Sequence, residues 1–293
     1  MALTMELNQF ISGERFQALA DISFIPIGSG NGESGCGFVQ EQQRNNGYNV
    51  FYYNDDTIVL PDLANVKTIF VNTWTLDKFF SVIFPLLPGR YTFISHNSDL
   101  GFSEKHTQFL DSEKVIKWFS QNAYIEHTKL ISLPIGLGNQ QYPHGNLELI
   151  KRTIEKQLSK EILVFKNFDS NTNYGERAYV DKVTTMNNIP MWPHLSQEEY
   201  FTRLAQSAFV ISPPGNGIDC HRIWESLYFK TIPIVKRHSC FKQYEDLPIL
   251  FIDNWESITE DFLRKEYRRF QFSEDIQQLN LDYWRDLIYY SGY

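Results

Sequence analysis

The chain has 293 residues, 42% of them hydrophobic, so it can bury a sizeable core in one large domain or two medium domains. Its 27 basic and 35 acidic residues give a net charge of -8 without a basic block, which argues against a general nucleic-acid-binding protein. No apolar run approaches the roughly 20 residues of a transmembrane segment, and "MALTMELNQFISGERF" does not resemble a signal peptide. We therefore expect a soluble or cytoplasmic protein without a membrane anchor.

In the first half of the chain, short apolar runs alternate with segments of helical periodicity. Four of these runs predict strands, at residues 48–53, 67–72, 91–95 and 129–134. Three segments predict helices, at residues 75–87, 112–120 and 145–160. This alternation is typical of a parallel α/β domain. The glycine-rich stretch at residues 27–38 lacks the lysine and the following helix of a phosphate-binding P-loop.

A second alternating series begins at residues 161–165, which predict a strand, and a helix is expected to start near Gly175. Further on, "SAFVIS", "HRIWESLYF" and "TIPIVK" predict a strand, a helix and a strand. That order is a βαβ unit, whose loop lies at the carboxyl end of the sheet, where ligands bind. We expect domains at residues 1–155 and 156–272, followed by a terminal helix at 273–293.

The loop of the βαβ unit, "SPPGNGIDC", has the chemistry of an anion site. Gly215 and Gly217 allow close backbone approach, and Asp219 is a good N-cap for the helix that follows. Free amides and the dipole at a helix start favour an anion, and Arg222 adds a forked donor for phosphate oxygens. Glu225 lies one turn further along and can accept hydrogen bonds from ligand hydroxyls. Together these residues suggest a nucleotide; taken singly, each fits a simple turn, cap or solvated side chain.

The stretch from Ser212 to Lys236 resembles the carboxyl-terminal signature of exostosin-like glycosyltransferases. In that signature a serine-proline-glycine loop runs into a helix with arginine and glutamate and then into "IPIV". Weaker blocks also resemble small enzymes of this family: "FVNTWTLDKFF", "YTFISHNSDLGF", "LISLPIGLGNQQYPHG" and "FKNFDSNTNYGERAYV". The resemblance spans roughly residues 70–236 and does not extend to the first sixty or the last fifty residues.

The resemblance implies the GT-B fold: two Rossmann-like domains facing a cleft, with a carboxyl-terminal helix that crosses back to the first domain. It also implies inverting transfer from a nucleoside-diphosphate sugar to a glycan hydroxyl, without a bound metal or other cofactor. A UDP-sugar is the expected donor, and UDP-xylose is one candidate. The spacing of the three cysteines predicts neither a zinc site nor a disulfide framework.

The donor site is expected on the second domain. By resemblance, Arg177 and Arg222 together take the place of a divalent cation at the departing diphosphate. Arg177 lies in the first turn of its helix, where a cation is unfavourable unless an anion is bound. The full set of expected donor-binding residues is Thr172, Asn173, Arg177, Pro214, Gly215, Asn216, Gly217, Asp219, Arg222 and Glu225.

The catalytic base is expected on the first domain, across the cleft from the donor. The segment "SHNSDLGF" follows a predicted strand, so its polar residues lie at the carboxyl edge of the sheet. Asp99 is our first candidate, His96 the second and Glu33 the third. A turn-capping role for Asp99 and a structural role for His96 remain open. Among the tryptophans, Trp192 in "IPMWPHL" is the one expected in an exposed turn beside the cleft.

Two other classes of function stay open on sequence grounds. A nucleotide-sugar-modifying enzyme on the same scaffold would use similar phosphate contacts but would not transfer to a glycan. A non-catalytic module that binds a nucleotide sugar or a glycan would be stabilised by its ligand without turnover. The presence of Arg177, Arg222 and Glu225 argues against a decayed site.

Overall fold

The computed structural model describes residues 5–27, 49–54, 58–270, 272 and 275–290. Its strands are β1 (Ile22–Pro26), β2 (Asn49–Tyr53), β3 (Thr68–Asn72), β4 (Tyr91–His96), β5 (Val115–Gln121), β6 (Leu130–Leu133), β7 (Ile162–Phe165), β8 (Ser207–Ile211), β9 (Ile232–Lys236) and β10 (Leu250–Ile252). Its α-helices are α1 (Gly13–Gln17), α2 (Leu76–Val82), α3 (Thr107–Leu110), α4 (Leu147–Glu155), α5 (Tyr174–Met186), α6 (Gln197–Ala205), α7 (His221–Tyr228), α8 (Glu260–Tyr267) and α9 (Leu281–Tyr290).

The strands form two parallel sheets. The first sheet has six strands in the order β2-β1-β3-β4-β5-β6, and the second has four in the order β10-β9-β8-β7. Every described pair of neighbouring strands is parallel. Strands such as β3 and β8 are buried along their whole length, as expected for parallel strands covered on both faces. The chain is therefore an α/β protein, in agreement with the sequence prediction.

The βαβ unit around the glycine loop is formed as predicted. Strand β8 pairs with β9 in parallel, and α7 connects them. Pro233 is the second residue of β9, close to the strand start where proline is tolerated. The expected boundary between residues 155 and 156 falls at the end of α4, before the second sheet begins; the division into domains remains a prediction.

The helix predicted at residues 112–120 is wrong, because this segment contains strand β5. Val115, Trp118 and Phe119 are fully buried, and β5 pairs with β4 on one side and β6 on the other. Because β5 has a paired strand at each edge and is covered on both faces, its sequence does not alternate regularly between apolar and polar residues. Its apolar spacing therefore also fits one face of a helix.

Two further differences concern the end of a predicted helix and two elements that were not predicted. Helix α2 ends at Val82, short of the predicted residue 87, and a 3₁₀ turn at Phe84–Leu86 follows it. Pro85 lies in that turn and cannot continue a helix. The prediction also missed α1 and β1, and β1 lies between β2 and β3 in the first sheet.

A single apolar core joins the two halves of the chain. Phe119 of the first sheet, Phe165 of the second sheet and Trp224 of α7 belong to the same buried cluster. Helix α9 also returns to the amino-terminal segment. Its Trp284 packs edge-on against Phe16 with 6.0 Å between ring centroids. Among the described residues, no helix combines the length and apolarity needed to cross a membrane.

Candidate functional site

A cavity of about 380 Å³, here called the central cavity, lies at the carboxyl ends of both sheets. The first sheet contributes the loops after β4 and β6, and the second contributes the loops after β7 and β8 together with the starts of α6 and α7. Its lining residues include Asp99, Ile135, His144, Asn167, Thr172, Arg177, His194, Tyr200, Gly215, Asn216, Gly217, Asp219, Arg222 and Glu225. The structure therefore brings most of the predicted site residues to one cavity.

The glycine loop packs closely against the first sheet's loops. A Cβ atom on Gly217 would lie 2.8 Å from Nδ2 of Asn122 and 3.1 Å from the carbonyl oxygen of Asp99. Only glycine fits at such a distance without a shift in its neighbours. The neighbouring Asn216 donates from Nδ2 to Oδ2 of Asp99 at 3.3 Å. The leading candidate base and the predicted phosphate loop are thus in direct contact.

Arg222 lies at the second position of α7 and lines the central cavity. Its Nε atom is buried and has no hydrogen-bond partner among the described residues. Burial lowers the pKa of Arg222, but Tyr200, Cys220 and Glu225 outweigh this effect and raise it. The side chain is therefore a permanent cation with an unsatisfied donor, which suits an anionic ligand.

Glu225 is buried and lies one turn beyond Arg222, as the sequence predicts. Burial raises its pKa to about 7, and the charge of Arg222 and a hydrogen bond from Tyr200 oppose that rise. Tyr200 donates from its hydroxyl to Oε2 of Glu225 at 3.0 Å. Tyr200 was not recognised in the sequence, because it comes from α6 and meets Glu225 only in the folded chain.

Arg177 is buried and holds the backbone of two loops. Its Nε donates to the carbonyl of Pro214 at 3.0 Å and its Nη1 to the carbonyl of Asp169 at 2.6 Å. The guanidinium also lies 5.7 Å from the ring centre of Phe168. Burial lowers the pKa of Arg177, and the nearby positive charge of Arg222 adds to this effect. Several N–H groups of Arg177 therefore hold the backbone of the cavity wall in place.

The predicted helix-capping role of Asp219 is wrong. Cys220 occupies the N-cap position of α7, and no side chain caps the helix there. The carboxylate of Asp219 instead accepts from the backbone N–H of Ile135 at 2.6 Å and from Nε1 of Trp224 at 2.8 Å. Burial raises the pKa of Asp219 to about 7. Asp219 is thus a bridge between the two halves of the chain, although it lines the cavity.

The other predicted donor-binding residues shape the loops at the cavity. Asn173 donates from Nδ2 to the carbonyl of Gly215 at 3.0 Å, and the Thr172 hydroxyl donates to the carbonyl of Asp169 at 3.3 Å. Pro214 supplies the carbonyl that Arg177 holds. Their proposed contacts with a phosphate remain predictions.

The three candidate bases differ in their surroundings. Asp99 is exposed at the cavity and receives the hydrogen bond from Asn216. His96 is buried, its Nε2 lies 3.0 Å from the carbonyl of Pro134, and its Nδ1 accepts from the N–H of Asn97 at 2.7 Å. Both ring nitrogens of His96 are therefore engaged, and its role as a candidate base remains a prediction. Glu33 lies outside the described residues.

The structure adds a histidine that the sequence reasoning missed. His144 lines the central cavity, stacks on Tyr142 with 5.3 Å between ring centroids, and lies 5.4 Å from the ring of His221. Burial lowers its pKa, so the imidazole is neutral at pH 7 and able to accept a proton. The sequence signal for His144 was weak, because this residue comes eleven residues after the end of β6, in a turn.

Trp192 is not the exposed aromatic residue that the sequence suggested. Its ring packs 5.6 Å from that of Phe165, and the guanidinium of Arg203 covers it at 5.5 Å. The described residues contain no group of three or more His, Cys, Asp or Glu that could hold a metal ion. The expected independence from metal concerns catalysis and remains a prediction.

Comparison with known families gives one match. Residues 150–286, a little under half of the chain, match the family model described as the RXYLT1 C-terminal domain. The matched segment contains both Arg177 and Arg222 and all four strands of the second sheet. The match supports the resemblance to exostosin-like glycosyltransferases and indicates a glycosyltransferase-like function. A comparison with curated proteins gave no match.

Proposed function

We propose that the chain with this RXYLT1-like segment is an inverting, metal-independent glycosyltransferase of the GT-B type. It moves a sugar from a nucleoside-diphosphate donor to a glycan hydroxyl, with a UDP-sugar as the donor class and UDP-xylose as the first donor to test. The observation that carries the proposal is that Arg222 and Glu225 of α7 line the same cavity as Asp99, which lies on the loop after β4.

The donor is proposed to bind on the second sheet's side of the central cavity. Its diphosphate faces the start of α7, where the helix dipole, the loop amides and the unsatisfied Nε of Arg222 favour negative charge. Its ribose hydroxyls face Glu225. The buried carboxylate of Glu225 accepts a hydrogen bond from the Tyr200 hydroxyl. Arg177 supports this site chiefly by fixing the carbonyls of the glycine loop.

Transfer is then a single displacement at the anomeric carbon. The acceptor oxygen forms a bond to that carbon while the bond to the diphosphate oxygen breaks, and the diphosphate leaves with the bonding electrons. Asp99 takes the proton of the acceptor hydroxyl as general base, and Arg222 stabilises the charge that develops on the leaving diphosphate. Asp99 suits this role because it is exposed at the junction with the first sheet's loops and touches the donor loop through Asn216.

His144 is the alternative base. It lines the same cavity, and its lowered pKa keeps it neutral at pH 7, which is the form that accepts a proton. Transfer rates of Asp99→Asn and His144→Gln separate the two assignments. The variant at the true base loses transfer by about 10² to 10⁴-fold, while the other variant keeps most of its activity.

The experiment that tests the function has two steps. Calorimetric titration with UDP, UDP-xylose and UDP-glucose, with and without EDTA, measures donor binding. Incubation of the bound sugar nucleotide with a mixture of glycan acceptors, followed by mass spectrometry, measures transfer. We expect binding that is insensitive to EDTA and a new glycoside product. Absence of nucleotide binding would refute the proposal, and donor conversion without any glycoside would instead identify a nucleotide-sugar-modifying enzyme.

A further inference from the structure

A second cavity of about 240 Å³, here called the side cavity, lies at the carboxyl edge of the first sheet. It is lined by the loop after β3, the loop after β4, the end of β5 and the loop after β6. Asp99, Ile135 and His221 line both cavities, so the side cavity adjoins the central one. A ligand in the side cavity would therefore reach the same carboxylate that faces the donor loop.

The mouth of the side cavity presents two aromatic side chains. Trp74, in the turn after β3, is 54% exposed although it belongs to a chain segment that is otherwise mostly buried. Tyr142, on the loop after β6, is 44% exposed and lines the same cavity. Exposed aromatic faces at a cavity mouth suit the C–H face of a sugar ring, which is apolar while its hydroxyls point outward.

One residue that lines the side cavity carries an unsatisfied acceptor. Gln121, the last residue of β5, is 1% exposed, and its Oε1 is buried without a hydrogen-bond partner among the described residues. A buried amide oxygen without a partner is energetically unfavourable, so such atoms are rare unless a ligand or a water molecule donates a hydrogen bond to them. This oxygen can accept a hydrogen bond. A ligand hydroxyl can donate one, whereas a fully ionised phosphate cannot.

The remaining polar groups of the side cavity are neutral apart from Asp99. Asn97, Ser98 and Asn139 line it with amide and hydroxyl groups, while Arg15 and the lysines do not line it. Asn97 adopts a left-handed backbone conformation with φ of 66°, which asparagine tolerates better than most non-glycine residues do. This lining selects an uncharged ligand with several hydroxyls over an anionic one.

We propose that the side cavity is the acceptor site and binds a neutral sugar ring, which stacks on Trp74 and donates a hydroxyl to Oε1 of Gln121. This inference rests on the proposed glycosyltransferase function and adds the acceptor's position and class. The bound ring presents another hydroxyl to Asp99 at the junction of the two cavities. Trp74 and Gln121 are positioning residues, and Asp99 is the group that takes the proton when the new glycosidic bond forms.

The test uses saturation-transfer NMR with methyl glycosides of common pentoses and hexoses, added one at a time to the full chain in the presence of UDP. We expect at least one glycoside to bind the wild type. Trp74→Ala should weaken that binding by about tenfold, and Gln121→Leu by about two- to tenfold. Tyr290→Ala, at a residue that is 70% exposed on α9, is the matched control and should bind as the wild type does.

Each outcome decides between specific alternatives. If no glycoside binds, or if binding is the same in Trp74→Ala and in the wild type, the side cavity is not the acceptor site. If Trp74→Ala loses UDP binding, the tryptophan stacks on the nucleobase and the proposal is overturned. If UDP binds but no glycoside does, the proposed donor site is supported and the proposed acceptor site is refuted. If a glycoside binds in a Trp74-dependent way but UDP does not bind, the sugar site is supported and the proposed transferase function is refuted. Because Trp74 is exposed, its variant keeps the test valid even if Gln121→Leu does not fold.

Discussion

Asn216 donates a hydrogen bond to the carboxylate of Asp99 across 3.3 Å, which links the glycine loop of the second sheet to the loop after β4 of the first. If Asp99 is the general base, Asp99→Asn should lower the transfer rate by about 10² to 10⁴-fold while leaving donor affinity nearly unchanged. The asparagine keeps an acceptor oxygen for Asn216, so the fold should be intact. Initial rates with saturating donor, together with calorimetry, measure the two effects.

The matched control for this variant is Asn216→Ala, which removes the hydrogen bond but keeps the carboxylate. It should retain far more transfer activity than Asp99→Asn. Near-normal transfer by Asp99→Asn would contradict the assignment, and His144→Gln would then be the variant to assay.

Arg222→Ala should weaken the binding of UDP by about 1.5 to 3 kcal/mol, because it removes a charge-assisted hydrogen bond to the diphosphate. Calorimetry at constant salt measures the change. Arg264→Ala is a suitable control, since Arg264 is exposed and forms an ion pair with Glu260 on the same helix. Equal UDP affinity in both variants would remove Arg222 from the donor site.

Glu225→Gln should weaken UDP binding but leave the binding of pyrophosphate nearly unchanged, because the proposed contact is with the ribose. The pKa of Glu225 is about 7, so the carboxylate that accepts the ribose hydroxyls forms as the pH rises through neutrality. UDP affinity should therefore increase between pH 6 and 8 more in the wild type than in Glu225→Gln. A parallel loss of pyrophosphate binding would show that Glu225 acts on the phosphates instead.

Arg177→Met should lower the thermal stability of the ligand-free protein, in contrast to Arg222→Ala. The substitution keeps the aliphatic volume but removes the donors that satisfy the carbonyls of Pro214 and Asp169. We expect a loss of about 1 to 3 kcal/mol in the free energy of unfolding, measured by urea titration. Unchanged stability, together with weaker UDP binding, would instead give Arg177 the direct diphosphate role that the family resemblance implies.

His96 should make the fold acid-sensitive. Burial lowers its folded-state pKa to about 4, below the usual value near 6.5, so its contribution to stability is present above pH 6.5 and is lost as the pH falls toward 4. Over that range the wild type should lose about 3 kcal/mol more than His96→Gln. Asp219 and Glu225 shift stability in the opposite direction but do so in both proteins. Urea titrations at pH 7 and pH 4.5, with the exposed His194→Gln as control, measure this difference.

Local pattern was sufficient to predict the βαβ unit around the glycine loop. Its strands, helix and loop lie within a single short stretch. Helix periodicity places Arg222 and Glu225 one turn apart on the same side of α7, and their proposed roles rest on the chemistry of the helix start and on the family resemblance. Strand β5 was mistaken for a helix, because the burial of Trp118 depends on both neighbouring strands and on layers from distant parts of the chain.

The site partners that were missed share one physical reason. Asn122 contacts the glycine loop, while His144 and Tyr200 line the central cavity. They come from three separate loops or helices, and only the arrangement of both sheets brings them together. The same is true of Asp219, whose sequence position suggests an N-cap. In the folded chain a backbone N–H 84 residues away competes successfully for its carboxylate.

The hydrogen bonds by which Asp219 joins the two halves of the chain limit how a substrate can enter the central cavity. Beside Asp219, Nδ1 of His221 lies 2.8 Å from the carbonyl of Gly136, and the Tyr244 hydroxyl donates to the carbonyl of Ser132 at 2.6 Å. These bonds join the second half of the chain to the last residues of β6 and to the backbone just after it. A hinge rotation of one half away from the other would have to break all of them and expose a shared apolar core. Substrates are therefore expected to enter by movement of surface loops, with catalytic turnover limited by side-chain and loop rearrangement instead of the swing of a whole domain.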